Sequence, residues 1–384
     1  MNSVRLSNFF RSFSSLLAAA VVLAVLLPAL PGCAASAQVA WEESVSSDVS
    51  FVYPGETWER IKDPSSAGYS AKGLEKVLEY VKTLDTTGLL VVVGGKVLFE
   101  YGDLKQLSYL ASVRKSILSI LYGKYVTDGT IRLNTTLEEL GITDHGGLLP
   151  VEQKATIDHL ITARSGIYHP ASNAGDSTAS APPRGSQQPG EYFLYNNWDF
   201  NCAGTIFEML TRQVIYDVLE RDLAAPLRMQ DFDRLRQRKS GNLKRSRFPA
   251  YHIWLSTRDM ARIGHLMLRE GEWAGRQIVP KAWVRKISRI KTPLEKMNPE
   301  PYRKGNFGYG YMWWIWDGPM AIGPYKGAYA ARGAYGQYIT VLPALDMVIA
   351  HKTAVPPRKR SVRMNQYMGI IERLIAARTV SRDL

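Results

Sequence analysis

Cysteine is nearly absent from this chain. Cys33 and Cys202 are the only two in 384 residues, so no disulfide framework organises the fold. The six histidines are scattered, with no His-Glu-x-x-His and no Cys/His cluster, which argues against a zinc site. No Gly-x-Ser-x-Gly elbow occurs, so an α/β-hydrolase is not expected. There is no Walker sequence and no dinucleotide fingerprint. No cofactor is therefore expected. A long unbroken hydrophobic run is missing too. The candidate, "LLAAAVVLAVLLPALPGCAASAQ", is short for a spanning helix and is interrupted by Pro28 and Pro31.

Preceded by Arg5 and Arg11, that run reads as an export signal over residues 1–37. Two processing sites fit it. "LPGC" ends at Cys33, which would be a lipid-attachment cysteine tying the protein to a membrane. "ASA", residues 35–37, is a small-x-small cleavage site. Either way residues 38–384 carry the folded domain, placed outside the cytoplasm as a periplasmic, membrane-anchored or secreted form. The net charge is +13; loss of residues 1–37 takes Arg5 and Arg11 and no acidic side chain, leaving +11. Much of it lies in "RLRQRKSGNLKRSR", residues 234–247, where a solvated loop is the simpler reading. An exported basic protein meets anionic membrane or cell-wall polymer, not nucleic acid. With 46% hydrophobic and 22% charged residues the chain is an ordinary folded one. Cys202, inside the helical pattern "WDFNCAGTIF", reads as a small buried thiol.

Leu74, Val77, Leu78, Val81 and Leu84 recur at helical spacing, with Ser70 placed to cap the helix. "LLVVVGGKVLFEYG" reads as two strands joined at Gly94-Gly95. A helix beginning at Ser112 ends near Asp128-Gly129. From there to about Ile290 the pattern is mainly helical with loops. The segment at 166–193 is long and rich in Gly, Ala, Ser and Pro, and runs into "LYNNWDFN". Such loops inside a compact domain are commonly functional, so an active-site loop is expected. "GYGYMWWIW", "GAYAARG", "QYITVLP" and "MVIAHKT" read as strands, and "RMNQYMGIIERLIAAR" as a closing helix. The expected class is α/β of the α+β kind: residues 50–130 and 300–384 build one antiparallel sheet flanked by helices, with a mainly helical region at 131–299 beside it.

Ser112 and Lys115 stand three apart at the start of an apolar helix, "YLASVRKSIL". Residues so spaced share a face and touch. A serine hydroxyl attacks only when a base takes its proton, and a lysine buried in an apolar first turn loses its charge easily. The alternative is a helix-capping serine beside a solvated lysine. The same Ser-x-x-Lys pattern recurs at Ser288 and Lys291, without an apolar helix behind it. A Tyr-x-Asn triplet occurs once, at Tyr195-Asn196-Asn197. A tyrosinate beside a lysine serves as a proton shuttle, each charge supporting the other.

"SVRKSILSILYG", "ITARSGI", "YNNWDFNCAG", "APLRM", "STRDMARIGHLMLREGEW", "FGYGYMWW" and "YGQYITVLPALDMVI" follow one another in order. This series resembles the serine hydrolases related to class C β-lactamases, which include esterases, D-aminopeptidases, penicillin-binding proteins and amide hydrolases. The resemblance spans about residues 55–376. It implies a β-lactamase/transpeptidase-like fold, with Ser112 as the acylated serine, Lys115 its partner, Tyr195 completing the general-base pair, and Asn197 holding lysine and substrate amide. One element departs. The Lys-Thr-Gly triplet expected on the strand before "YGQYITVLP" is absent, and "HKTA", with Lys352, comes too late. Ala331-Arg332-Gly333 is the best placement for it. Arg332 there either replaces the lost charge or is a solvated turn residue. A backbone N–H near Gly333 would complete an oxyanion hole with that of Ser112.

The expected function is an exported serine hydrolase acting by two-step acyl transfer on a small-molecule or peptide substrate, an ester or amide. Penicillin-binding, β-lactamase or D-peptidase activity is the alternative. A non-catalytic binding module on the same fold is a second alternative, but it predicts loss of Ser112, Lys115 or Tyr195. If Arg332 is a solvated residue, neutral esters should be preferred over β-lactams, whose carboxylate would enter an uncompensated pocket. His169, in "IYHPAS", reads as an ordinary loop histidine.

Overall fold

The Gly94-Gly95 turn sets the first hairpin. Both glycines have positive φ, +57° and +80°, which side-chain-bearing residues seldom adopt. They join β1 (Gly88–Val93) to β2 (Lys96–Gly102). In this computed structural model, which describes residues 52–354 and 361–379, the remaining strands of the main sheet come from the C-terminal third: β3 (Phe307–Tyr309), β4 (Trp314–Trp316), β5 (Tyr329–Gly333), β6 (Gln337–Leu342) and β7 (Met347–Lys352). The export-signal reading and Cys33 lie outside the described residues.

The seven strands run in the order β2-β1-β7-β6-β5-β4-β3, antiparallel throughout. Leu89 opposes His351, so the first strand pairs with the last and one sheet draws on both parts of the chain. "GYGYMWWIW" is not the single strand its composition implied. It folds back on itself, with Trp314 opposite Tyr309. Gly310 packs so close to the Ile287 and Arg289 carbonyls that a Cβ would lie within 2.7 Å of both, and Met312 takes φ +62°. Those two positions turn the chain.

Six longer helices surround the sheet: α1 (Ala71–Lys82), α2 (Val113–Thr127), α3 (Asn197–Thr211), α4 (Thr257–Leu268), α5 (Lys281–Ile287) and α6 (Met364–Ala376). Ser70 caps α1, its hydroxyl accepting from Gly73 N–H. The two-residue period of β6 assigns the layers. Tyr338 stacks on Tyr367 of α6 at 4.2 Å, and the Tyr367 hydroxyl donates to Thr340. Ile339, on the other face, meets Gly264 of α4, as does Val348; a Cβ at Gly264 would lie 2.4 Å from Val348. Helices therefore cover both faces, the arrangement that buries a two-sided sheet.

α2 is buried almost all round, from Val113 to Tyr125. It packs between β5, α3 and α5. A helix apolar on every side belongs inside a protein, and that position explains why a Lys so near its start is buried. The 131–299 region is mostly helix and loop as expected, with short two-stranded ladders the helical pattern did not foretell, such as Arg238–Ser240 with Ala250–His252. Ser108–Tyr109 pairs with Trp254–Leu255 just ahead of α2.

Candidate active site

Ser112 sits at the entrance of α2, straight after Ala111, which is held at φ +48°. That conformation is strained for a residue with a Cβ. Ser112 occupies the N-cap position, but its side chain makes no capping hydrogen bond. Its hydroxyl is directed instead at Lys115, whose Nζ lies 3.2 Å from Ser112 Oγ. The ordinary-cap alternative is thus not what the fold adopts.

Lys115 is 1% exposed. Its Nζ also lies 2.6 Å from Tyr195 Oη and 2.7 Å from Asn197 Oδ1. Chain segments some eighty residues apart supply these partners: α2 brings the serine and lysine, and the start of α3 brings the tyrosine and asparagine. Burial pulls Lys115 well below the ordinary lysine range; the Arg114 charge pushes the same way and Asp176 opposes. Burial pushes the Tyr195 hydroxyl up, with the Ser112 hydrogen bond and the charges of Arg114 and Arg332 opposing. Both shifts favour neutral groups. They run against the tyrosinate the sequence suggested and with its reading of a lysine that gives up its charge easily. Lys115 Nζ stands within donor distance of three oxygens, Ser112 Oγ, Tyr195 Oη and Asn197 Oδ1; once deprotonated it has a lone pair that can take the serine proton. This arrangement can take a proton from serine and return it to a leaving group.

Gly333, at the end of β5, lies against the backbone of the serine turn. A Cβ there would meet the Leu110 carbonyl oxygen at 2.5 Å and Ser112 N at 3.1 Å. Glycine lets the strand approach the Ser112 amide this closely. Arg332 precedes it on the strand and is not a solvated turn residue. Its guanidinium lies over the rings of Trp314 (4.4 Å) and Phe307 (4.6 Å). Burial lowers it from the usual arginine range, and nearby tyrosines oppose. Among the described residues no carboxylate pairs with it.

Ser112, Tyr195, Tyr302, Trp314, Arg332 and Gly333 line a cavity of about 350 Å³, with Arg363 also in its wall and no Asp or Glu among the described residues that line it. A larger cavity, about 610 Å³, opens at the far end of α2 beside Lys124 and Ile278. It holds none of Ser112, Lys115, Tyr195, Asn197 and Arg332, so the smaller one is the candidate site. The 166–193 loop borders the site: Gly175 is in the wall, Asp176 Oδ2 accepts from Asn197 N–H at 3.0 Å, and Ser177 Oγ meets Tyr302 Oη at 3.0 Å. Asn197 Nδ2 donates to Ala174 O in this loop.

The other sequence candidates fall elsewhere. Ser288 ends α5 and donates to Val284 O, while Lys291 pairs with Asp158. Lys352 lies at the end of β7, buried, with its Nζ on Ser108 O and Leu255 O. His169 Nε2 rests 2.7 Å from His145 O. Cys202 is buried within α3. Four residues near the site escaped sequence reasoning: Arg114, Asp176, Tyr302 and Trp314. Only Arg114 carried a signal, as a charge inside the Ser-x-x-Lys motif on an otherwise apolar helix.

The family model for Beta-lactamase matches residues 79–369, three quarters of the chain and every residue of the constellation. The chain belongs to the Beta-lactamase family. An uncharacterized protein of Alkalihalophilus pseudofirmus is 23% identical over 260 residues, covering 62% of this chain and 71% of its own. Among solved structures, a penicillin-binding protein from Bacillus halodurans superposes with a TM-score of 0.55 at 16% identity, over 77% of this chain and 99% of that one. A family VIII carboxylesterase does so at 0.56 and 11%, over 81% and 99%. These likenesses establish the β-lactamase/transpeptidase-like fold. Beta-lactamase-family proteins of this fold are typically serine hydrolases, with esterases and penicillin-binding proteins among the neighbours.

Proposed function

We propose that this protein is a serine hydrolase that cleaves an ester or amide through an acyl-enzyme on Ser112. The observation that carries this reading is the single buried cluster in which Lys115 Nζ reaches Ser112, Tyr195 and Asn197 at 2.6–3.2 Å. Neutral Lys115 accepts the serine proton as Oγ bonds to the substrate carbonyl carbon. The Lys115–Tyr195 pair then passes that proton to the departing alcohol or amine as the carbon–leaving-group bond breaks. Water attacks the acyl-enzyme, gives a proton to the same pair, and the acid leaves as Ser112 recovers its hydrogen. The amides of Ser112 and of the chain at Gly333 are the natural donors to the oxyanion.

The wall of the site favours a substrate with a carboxylate. Arg332 is a planar fork of donors without an acidic partner, and such forks suit carboxylates. The sequence-based preference for neutral esters rested on Arg332 as a solvated residue and gives way to this reading. Kinetics with p-nitrophenyl butyrate, mono-p-nitrophenyl glutarate and nitrocefin test it. A charge-assisted hydrogen bond is worth about 1.5–3 kcal/mol, or about 10- to 150-fold in rate. Arg332→Ala should lose that factor in kcat/KM for the glutarate monoester and little for the butyrate. Equal losses on both would refute a carboxylate role for Arg332. Cell-wall-type activity, the second reading, requires nitrocefin to be turned over or to acylate the protein.

We also propose that the protein acts outside the cytoplasm, on the strength of the Arg-flanked apolar run before Cys33. Mass spectrometry of cell fractions should find either a diacyl-modified N-terminal Cys33 or a free terminus near Gln38. An intact Met1 in the cytosol would overturn export.

A further inference from the structure

Arg114 is a buried cation without a counter-ion. It is 2% exposed, and among the described residues no carboxylate pairs with it. Nη2 donates to Asn201 Oδ1 at 2.7 Å, the guanidinium carbon lies 4.2 Å over the Tyr251 ring, and Nη1 is buried without a hydrogen bond. Burying a charge without an opposite partner is costly. Apolar packing alone would be served better by leucine or methionine. The side chain directly precedes Lys115 in the chain. A carboxylate joins the same cluster through Asn197: Asp176 Oδ2 accepts from the N–H of Asn197, whose own Oδ1 receives Lys115 Nζ.

We infer that Arg114 and Asp176 are opposed positioning charges that set the ionisation of Lys115, Arg114 holding it as a neutral base and Asp176 limiting how far it is discharged. The inference rests on the reading of Lys115 as the base. The groups that face Lys115 are few. Its own helix offers Ser112 and Arg114, the loop offers Asp176, and Tyr195 and Asn197 come from the start of α3, where Asp199 is turned to Ser165 and Asn196 instead. Burial pushes the Asp199 carboxyl up and Ser165 hydrogen-bonds it, so it is held towards its neutral form. From the sheet, Arg332 acts on Tyr195. Burial and Arg114 both depress Lys115 and Asp176 opposes them, in keeping with the geometry. Arg114 also lies near enough to His252 to join burial in holding that imidazole neutral, down to about 4.

The sign follows from charge. A positive neighbour disfavours the ammonium, so its loss raises the pKa of Lys115. The base is then protonated over a wider range, and the acidic limb of the kcat/KM profile moves to higher pH. Loss of the negative neighbour moves the limb to lower pH. One pH unit of limb movement is a tenfold change in rate at fixed pH below the limb. With p-nitrophenyl butyrate as the probe, we expect Arg114→Met to lower kcat/KM below the limb by about 3- to 10-fold relative to its own plateau. Asp176→Asn should raise it by a similar factor, and Arg114→Lys should leave the limb near its wild-type position. If Arg114→Met does not fold, Asp176→Asn and Arg114→Lys still carry the test through their predicted signs. Movement of the Met and Asn variants in the same direction, or no movement in Asp176→Asn, overturns the inference. A wild-type profile with no acidic limb, or a limb that persists in the residual activity of Lys115→Met, overturns the lysine-base reading instead.

Discussion

Ser112→Ala is expected to abolish hydrolysis, lowering kcat by about three to six orders of magnitude, and to abolish covalent labelling by a serine-reactive phosphonate. The fold should survive. The Ser112 hydroxyl makes no capping bond to α2, and it bonds instead within the constellation, to Lys115. Losing it removes the attacking atom while leaving the helix start and its packing in place. Circular dichroism and thermal melting check the fold; mass spectrometry of the labelled protein checks the chemistry. Labelling that persists, or that moves to Ser288 at the end of α5, would defeat the assignment of Ser112.

Gly333→Ala is expected to cost about 10²-fold or more in kcat/KM, with a far smaller effect on melting temperature. The added Cβ would sit 2.5 Å from the Leu110 carbonyl oxygen and 3.1 Å from Ser112 N. Backbone on both sides leaves no flexible side chain to yield, so the strand must move away from the serine turn. A misplacement on the order of 1 Å in a catalytic constellation is worth about 10²-fold. Steady-state kinetics on a neutral ester, alongside thermal melting, separates a displaced site from a lost fold. Near wild-type kcat/KM would mean that β5 does not help to position Ser112.

Periodicity carried most of the architecture. Leu74, Val77 and Val81 do point inward from α1, the Gly94-Gly95 hairpin turns where its glycines stand, and the strands of the last third fall close to their sequence runs. The miss at "GYGYMWWIW" has a local cause. Alternation and aromatic richness look the same in one strand as in two. The pairing of Trp314 with Tyr309 and the close approach of Gly310 to the end of α5 reveal the fold-back. The short ladders at 238–252 escaped because two or three residues carry too little pattern to be read.

Within the site, residue identity marked the nucleophile and its neighbours, because Ser112 and Lys115 lie on one helix and helical spacing alone lets them meet. Tyr195 and Asn197 were placed by motif, but their 2.6–2.7 Å approach to Lys115 is a tertiary event between α2 and α3. The direction of the charge shifts was set there too. The sequence suggested an easily discharged lysine and a tyrosinate; burial of Lys115 and Tyr195 pushes both towards their neutral forms, and burial is a property of the packed fold. Arg332 shows the same division. Its place beside a glycine was legible, whereas its position over the Trp314 and Phe307 rings depends on a strand hairpin that no local pattern disclosed. The sequence by itself determined the family, the candidate nucleophile and most of the sheet; the tertiary structure decided the burial of Lys115 and Tyr195, the cationic wall of the pocket and the approach of Asn197 to Lys115, since each depends on which distant groups share a dry volume.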